Sequence, residues 1–223
     1  MTRPGRVWWL APVAAIAFAS AGAWQVQRGL AKRELQRHSA EAWRAPAGTL
    51  KDAAAAESRH VEVHGTWLGD RQVLQDGQAH GGQPGFHVWT PLRSTDNSLV
   101  MVDRGWIPLP APASLPVPAG VVAVQGLWRT LPAPALRLPA GECVTAPHYP
   151  AIAIYPDAAR LRCLLGERVL DGLLLLDAVE PDGFVREWQS PGFPPERHYA
   201  YAAQWFGLAA LAMVMFVRRW LRR

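Results

Sequence analysis

Two apolar stretches decide how this chain is built: VWWLAPVAAIAFASAGAWQVQ, Val7 to Gln27, and YAYAAQWFGLAALAMVMFV, Tyr199 to Val217. Neither holds a charged residue, and each approaches the roughly 20 residues that a helix needs to cross the hydrocarbon core. Everything between them is polar, proline-rich and strand-like. This pattern predicts a membrane protein in which two transmembrane α-helices flank one extramembrane domain.

Working outward, the charge separates by region. The net charge is +5, yet residues 38–197 carry 13 Lys and Arg against 17 Asp and Glu, a net of −4. The basic excess therefore lies at the spans, and the domain lacks the footprint of a nucleic-acid binder. Arg218, Arg219, Arg222 and Arg223 follow the second span, while Arg197 beside Glu196 precedes it. Arginine excess marks the cytoplasmic side. The expected layout is a cytoplasmic N-terminus (1–6), a span (7–27), a periplasmic domain (28–198), a span (199–217) and a cytoplasmic basic tail (218–223), all in a cell inner membrane. Trp8, Trp9, Trp24, Tyr199, Tyr201, Trp205 and Trp220 stand at the span mouths, where amphipathic rings favour the headgroups. Small residues four apart, at Ala15, Ala19 and Ala23 and at Ala203 and Gly207, suit close helix packing. Ala19-Ser20-Ala21 also resembles a signal-peptide cleavage site, but the uncharged run continues to Gln27, longer than an ordinary signal core.

The 160 residues from His38 to Arg197 suit one domain. Past Arg28 the helix formers continue, so the first helix should extend beyond the span. From Arg59 the period becomes two: His60-Val61-Glu62-Val63-His64 alternates as a half-buried strand does. Further strands are expected at 71–75, 86–92, 99–104, 121–129 and 173–178, with Ser94 to Ser98 a hairpin loop. Proline excludes interior strands from 108–118 and 132–139. One helix is expected from Pro156, closed by Gly166. The domain should be mainly antiparallel β with a little helix (α+β).

Chemistry-bearing motifs are sparse. Cys143 and Cys163 form no C-x-x-C; they pair in an oxidising compartment or serve as separate buried residues. His60 and His64, in a strand, lie about 13 Å apart, too far for one metal ion. Hydrolase, phosphate-loop and dinucleotide motifs are missing, so no enzyme is expected. Arg104 and Trp106, two apart in a strand, should share a face and make a structural ion pair or cation–π contact within the domain.

Five blocks in order are similar to the Surfeit locus protein 1 family of cytochrome c oxidase assembly factors. They are Gly22 to Arg33 (GAWQVQRGLAKR); Gly65-Thr66-Trp67 with Arg71 to Leu74; Gly85 to Leu92 (GFHVWTPL); Val102 to Pro108 (VDRGWIP); and Pro195 to Phe206 (PERHYAYAAQWF). The chain departs from the family between Pro132 and Pro150, and its 108–118 loop is unusually rich in proline. The resemblance implies a non-enzymatic assembly factor that delivers haem a to the catalytic subunit of cytochrome c oxidase, with haem a synthase as a further partner. It implicates His198 as haem ligand. The residues agree in chemistry: a neutral imidazole ligates haem iron. Tyr201 and Trp205 lie on the same helical side, and Trp24, Gln25 and Arg28 stand at the other span's mouth, where Arg28 suits a propionate. The same side chains also suit plain headgroup anchors, and a cofactor-free membrane chaperone is the alternative.

Overall fold

The computed structural model describes residues 9–53, 58–112, 114–131, 147–188 and 193–222. It contains two compact units, Ala40–Trp188 and a helix pair drawn from both chain ends. In chain order the elements are α1 (Leu10–Arg44), β1 (Gly48–Thr49), α2 (Leu50–Ala53), β2 (Arg59–Trp67), β3 (Val73–His80), β4 (Gln83–Ser94), β5 (Leu99–Pro108), β6 (Val121–Arg129), β7 (Ala151–Ala153), α3 (Ala158–Leu165), β8 (Leu173–Leu176) and α4 (Pro195–Leu221).

The eight strands form one mixed sheet in the order β1-β2-β6-β8-β5-β4-β3-β7. Most pairings are antiparallel; β1–β2, β3–β7 and β5–β8 are parallel. An extra β2–β4 pairing, Gly65 to Trp67 against Leu92 to Ser94, closes β2, β6, β8, β5 and β4 into a ring. Closure needs the backbones to come close, and Gly65 allows it: a Cβ there would lie 3.0 Å from Leu92 and nearer still to the Arg93 carbonyl.

Alternation then sorts side chains to two faces. Val61, Val63, Trp67, Leu92, Val100, Val102, Val124, Trp128, Leu174 and Leu176, from all five ring strands, form one core. Val73, Trp89, Leu99, Met101, Leu127, Leu173 and Leu175 face outward and are covered by Leu161, Leu164 and Leu165 of α3. Covering on both sides explains why all four residues of β8 are buried leucines. Helix α3 starts where Asp157 accepts the Arg160 N–H at 2.8 Å and stops at Gly166, whose φ is +72°.

The expected hairpin is present: Asn97, at φ +67°, donates its N–H to Ser94, and Ser98 donates to Asp96 Oδ1. Gly81-Gly82 turn β3 into β4 with positive φ at both residues. Strand β7 was not expected, because three residues between Pro150 and Pro156 are too short for a periodic signal. Proline 132–139 and Cys143 lie outside the described residues, while Cys163 is in a disulfide.

One expectation fails at β5. Three residues of β4, His87 to Trp89, oppose four of β5, Asp103 to Trp106. The extra residue is a bulge at Gly105, φ +109°, where a Cβ would meet the Val185 carbonyl at 2.6 Å. Trp106 therefore turns to the face of Asp103, and Arg104 stays on the inner face without it.

Among the described residues, one helix, Pro195–Leu221, is long and apolar enough to cross a membrane. Helix α1 runs on beyond Arg28, as expected, but its apolar run ends at Gln25 and Gln27, and Val7 and Trp8 lie outside the described residues. Helix α4 begins at Pro195, four residues before the expected span.

Candidate functional site

Within the helix pair, the buried residues of α1 are Ala15, Gly22 and Gly29, each seven apart. Seven residues make two turns, so the three form one seam. In α4 the buried residues are Pro195 and Ala202, again seven apart. The expected stripe of small residues four apart is therefore not the contact: Ala23 and Ala203 are exposed, and a Cβ on Gly207 would meet nothing within 4 Å. The glycines of the seam receive rings. A Cβ at Gly22 would come within 2.8 Å of Phe206, and one at Gly29 within 2.6 Å of Tyr199. Trp205 stacks on Phe18 with centroids 5.7 Å apart, and Trp9 meets Phe216 at 6.0 Å.

A side-chain hydrogen bond joins the helices. His198 Nδ1–H donates to Gln25 Oε1 at 2.8 Å. Gln25 lies between Gly22 and Gly29 on the same seam, which is why it can reach. Because the partner is a carbonyl oxygen, Nδ1 carries the proton, and in the neutral imidazole Nε2 keeps its lone pair. The contact engages Nδ1 and not Nε2. An imidazole fixed at one nitrogen and open at the other has the arrangement of a metal-ligating histidine with its supporting bond in place.

The remaining expected residues divide. Trp24 and Arg28 share a face, with the guanidinium 5.6 Å from the ring centroid, but both are exposed and turned from the seam. They pair with each other and not with His198. Tyr201 is half-exposed. The structure adds Gly29, Tyr199 and Arg33, which holds its guanidinium 6.0 Å from the Tyr199 ring. Their signal in the sequence was the Ala15-Gly22-Gly29 spacing of seven.

The domain's polar groups lie elsewhere. Arg104, 2% exposed, donates from Nε to the Asp182 carbonyl and from Nη2 to Pro116 O, both at 2.9 Å. Its guanidinium faces the rings of Trp67 and Phe184 at 5.6 and 5.0 Å. Burial pulls its pKa below the ordinary arginine value; Asp182 opposes this and Arg186 adds to it. Of the ion pair or cation–π contact expected of Arg104, the cation–π contact is present, with Trp67 and Phe184 and not with Trp106. On the outer face, Asp103 accepts from His87 Nδ1 at 2.9 Å, Trp89 Nε1 at 3.2 Å and the Gly105 N–H at 2.9 Å. Both clusters tie segments of the domain together. Among the described residues no group of three or more His, Cys, Asp or Glu could hold a metal ion.

The sequence model of the SURF1 family matches residues 13–210, which takes in most of α1, the whole sheet and most of α4. The chain belongs to the SURF1 family. SURF1 proteins are membrane-associated assembly factors of cytochrome c oxidase. No curated protein matches this SURF1 chain.

Proposed function

We propose that this SURF1 protein holds haem a at His198 and passes it to the catalytic subunit of cytochrome c oxidase, without catalysing a reaction itself. The observation that carries the reading is the His198–Gln25 bond, which fixes the imidazole tautomer and leaves Nε2 open. The residues fit an iron porphyrin better than a bare ion. A structural metal ion needs three or four protein ligands, whereas a porphyrin brings four nitrogens and asks one axial ligand of the protein. When bound, haem a supplies the iron that Nε2 would ligate. Gln25 positions the imidazole, Tyr201 and Trp205 offer aromatic surface, and Trp24 with Arg28 would meet the macrocycle edge and a propionate.

Both α1 and α4 cross the inner membrane in this reading, with termini cytoplasmic and the domain periplasmic. Supporting it are the arginines after α4 and the disulfide at Cys163, which suits an oxidising compartment. The partners are the oxidase catalytic subunit, haem a synthase and membrane lipid.

A second reading has an observation in its favour. Trp205 is occupied by Phe18, and Trp24 with Arg28 by each other. A cofactor-free chaperone that clamps an assembly intermediate needs no more than such an anchored helix pair. Purification from cells that make haem a separates the two. We expect a haem spectrum that is lost in His198→Ala and weakened in Gln25→Ala, whose lost hydrogen bond is worth about 0.5–1.5 kcal/mol. Colourless wild-type protein would leave the chaperone.

A further inference from the structure

The end of α4 carries a feature that haem handling does not use. Leu208, Leu211, Met215, Arg218, Arg219 and Arg222 recur at helical spacing and fall within an arc of about 100°. His198, Ala202, Trp205 and Phe216 lie roughly 115° round the helix, on the face that meets α1. The first stripe is free of α1 and open: Leu208, Leu211 and Met215 are 43%, 56% and 64% exposed, and all three arginines are exposed. Met215 and the three arginines line a groove of about 470 Å³.

The charges on this stripe are unbalanced. Arg218 and Arg222 are four apart and Arg219 and Arg222 three apart, spacings at which like charges on a helix repel. The sequence has no Asp or Glu from His198 to its end. An anion between the guanidiniums relieves that repulsion, and a phosphodiester matches the planar donor fork of arginine. The stripe also says what else the anion carries. Leu208 lies about 15 Å from Arg218 along the helix, half the thickness of a hydrocarbon core. A charged head at one end and an apolar rail one leaflet long describe a phospholipid.

We propose that this face of α4 binds an anionic phospholipid, its phosphate held by Arg218, Arg219 and Arg222 and an acyl chain laid along Leu208, Leu211 and Met215. The proposal rests on the reading of α4 as a membrane span. It differs from general attraction to a charged surface, because the arginines and the apolar residues lie on one face.

The test uses the full-length chain, purified in detergent and stripped of lipid, with native mass spectrometry counting bound dioleoyl phosphatidylglycerol or dioleoyl phosphatidylcholine. We expect the glycerol lipid to bind at least tenfold more tightly. The triple variant R218Q/R219Q/R222Q should bring it to within about twofold of phosphatidylcholine. Leu211→Ser with Met215→Ser, which keeps the guanidiniums, should weaken it at least threefold. Equal binding of the two lipids, or a triple variant that binds as wild type does, would overturn the proposal. Displacement by inorganic phosphate at the same concentration would mark a free-anion site instead. If the triple variant keeps the lipid but loses co-purifying oxidase subunit, the arginines face protein and the proposal fails. Recovery of wild-type protein from the soluble fraction would defeat the membrane reading beneath it, which the lipid comparison alone leaves standing.

Discussion

The sheet domain and the helix pair use polar residues in opposite ways. In the domain, Arg104 and Asp103 are 2% and 3% exposed, and their hydrogen bonds end on neighbouring segments: Pro116 and Asp182 for one, His87, Trp89 and Gly105 for the other. Such groups hold a fold together, because a buried donor or acceptor left unmet costs more than a made bond returns. In the helix pair the hydrogen bond between His198 and Gln25 engages only one of the two ring nitrogens of His198. The difference separates residues bonded to several segments of the fold, Arg104 keeping only Nη1 unpaired, from a residue held through one atom.

The largest effect should come from breaking the domain side of this contrast. Arg104→Met keeps bulk but deletes the donors to Asp182 and Pro116 and the charge over Trp67 and Phe184. We expect a loss of about 3 kcal/mol, or roughly 6–12 °C in melting temperature, in scanning calorimetry of the full chain. His198-dependent haem binding at low temperature should persist. If haem binding falls while the melt does not move, Arg104 belongs to the site and not to the fold.

An intermediate effect should come from the other side. Gly29→Leu forces a side chain into the Tyr199 ring, 2.6 Å from where its Cβ would stand. Overpacking of this kind costs about 1–3 kcal/mol. Here it should part the helices near His198, reducing cross-linking between cysteines placed on α1 and α4 while the domain melts as before. Unchanged cross-linking would mean that the helices are held by their other contacts.

The smallest effect concerns acid. Glu62 has its pKa lowered, first by the side-chain hydrogen bond from Gln125 and then by His64. A carboxylate depressed in the folded state contributes stability above its ordinary value, near 4.5, and loses it as pH falls through the folded value. Melting temperature should therefore drop slightly below pH 4.5, and Gln125→Ala should flatten that slope without touching the helix pair. An identical slope in the variant would assign the acid sensitivity to Asp96, whose carboxyl is lowered by the Ser98 N–H.

Much of the fold was legible because alternation and turn residues are local signals. Strand β6 occupies the expected 121–129, and the Ser94–Ser98 hairpin and the Asp157–Gly166 helix follow directly from their cap and turn residues. What escaped was set by partners distant in sequence. Gly105 reads as a neutral residue until Val185 lies beside it and the bulge turns Trp106 round. Ring closure by Gly65 against Arg93 likewise needs two strands to meet.

The candidate site shows the same division. Sequence by itself determined the apolar stretches, the arginines that flank them, the histidine at the mouth of the second and the family to which the chain belongs, since composition, spacing and order need no third dimension. Only the tertiary structure decided that Gln25, and not Trp24 or Arg28, meets His198. That choice follows from the seam of Ala15, Gly22 and Gly29: small residues let α4 approach on one face of α1, and hydrogen bonds form where backbones come close.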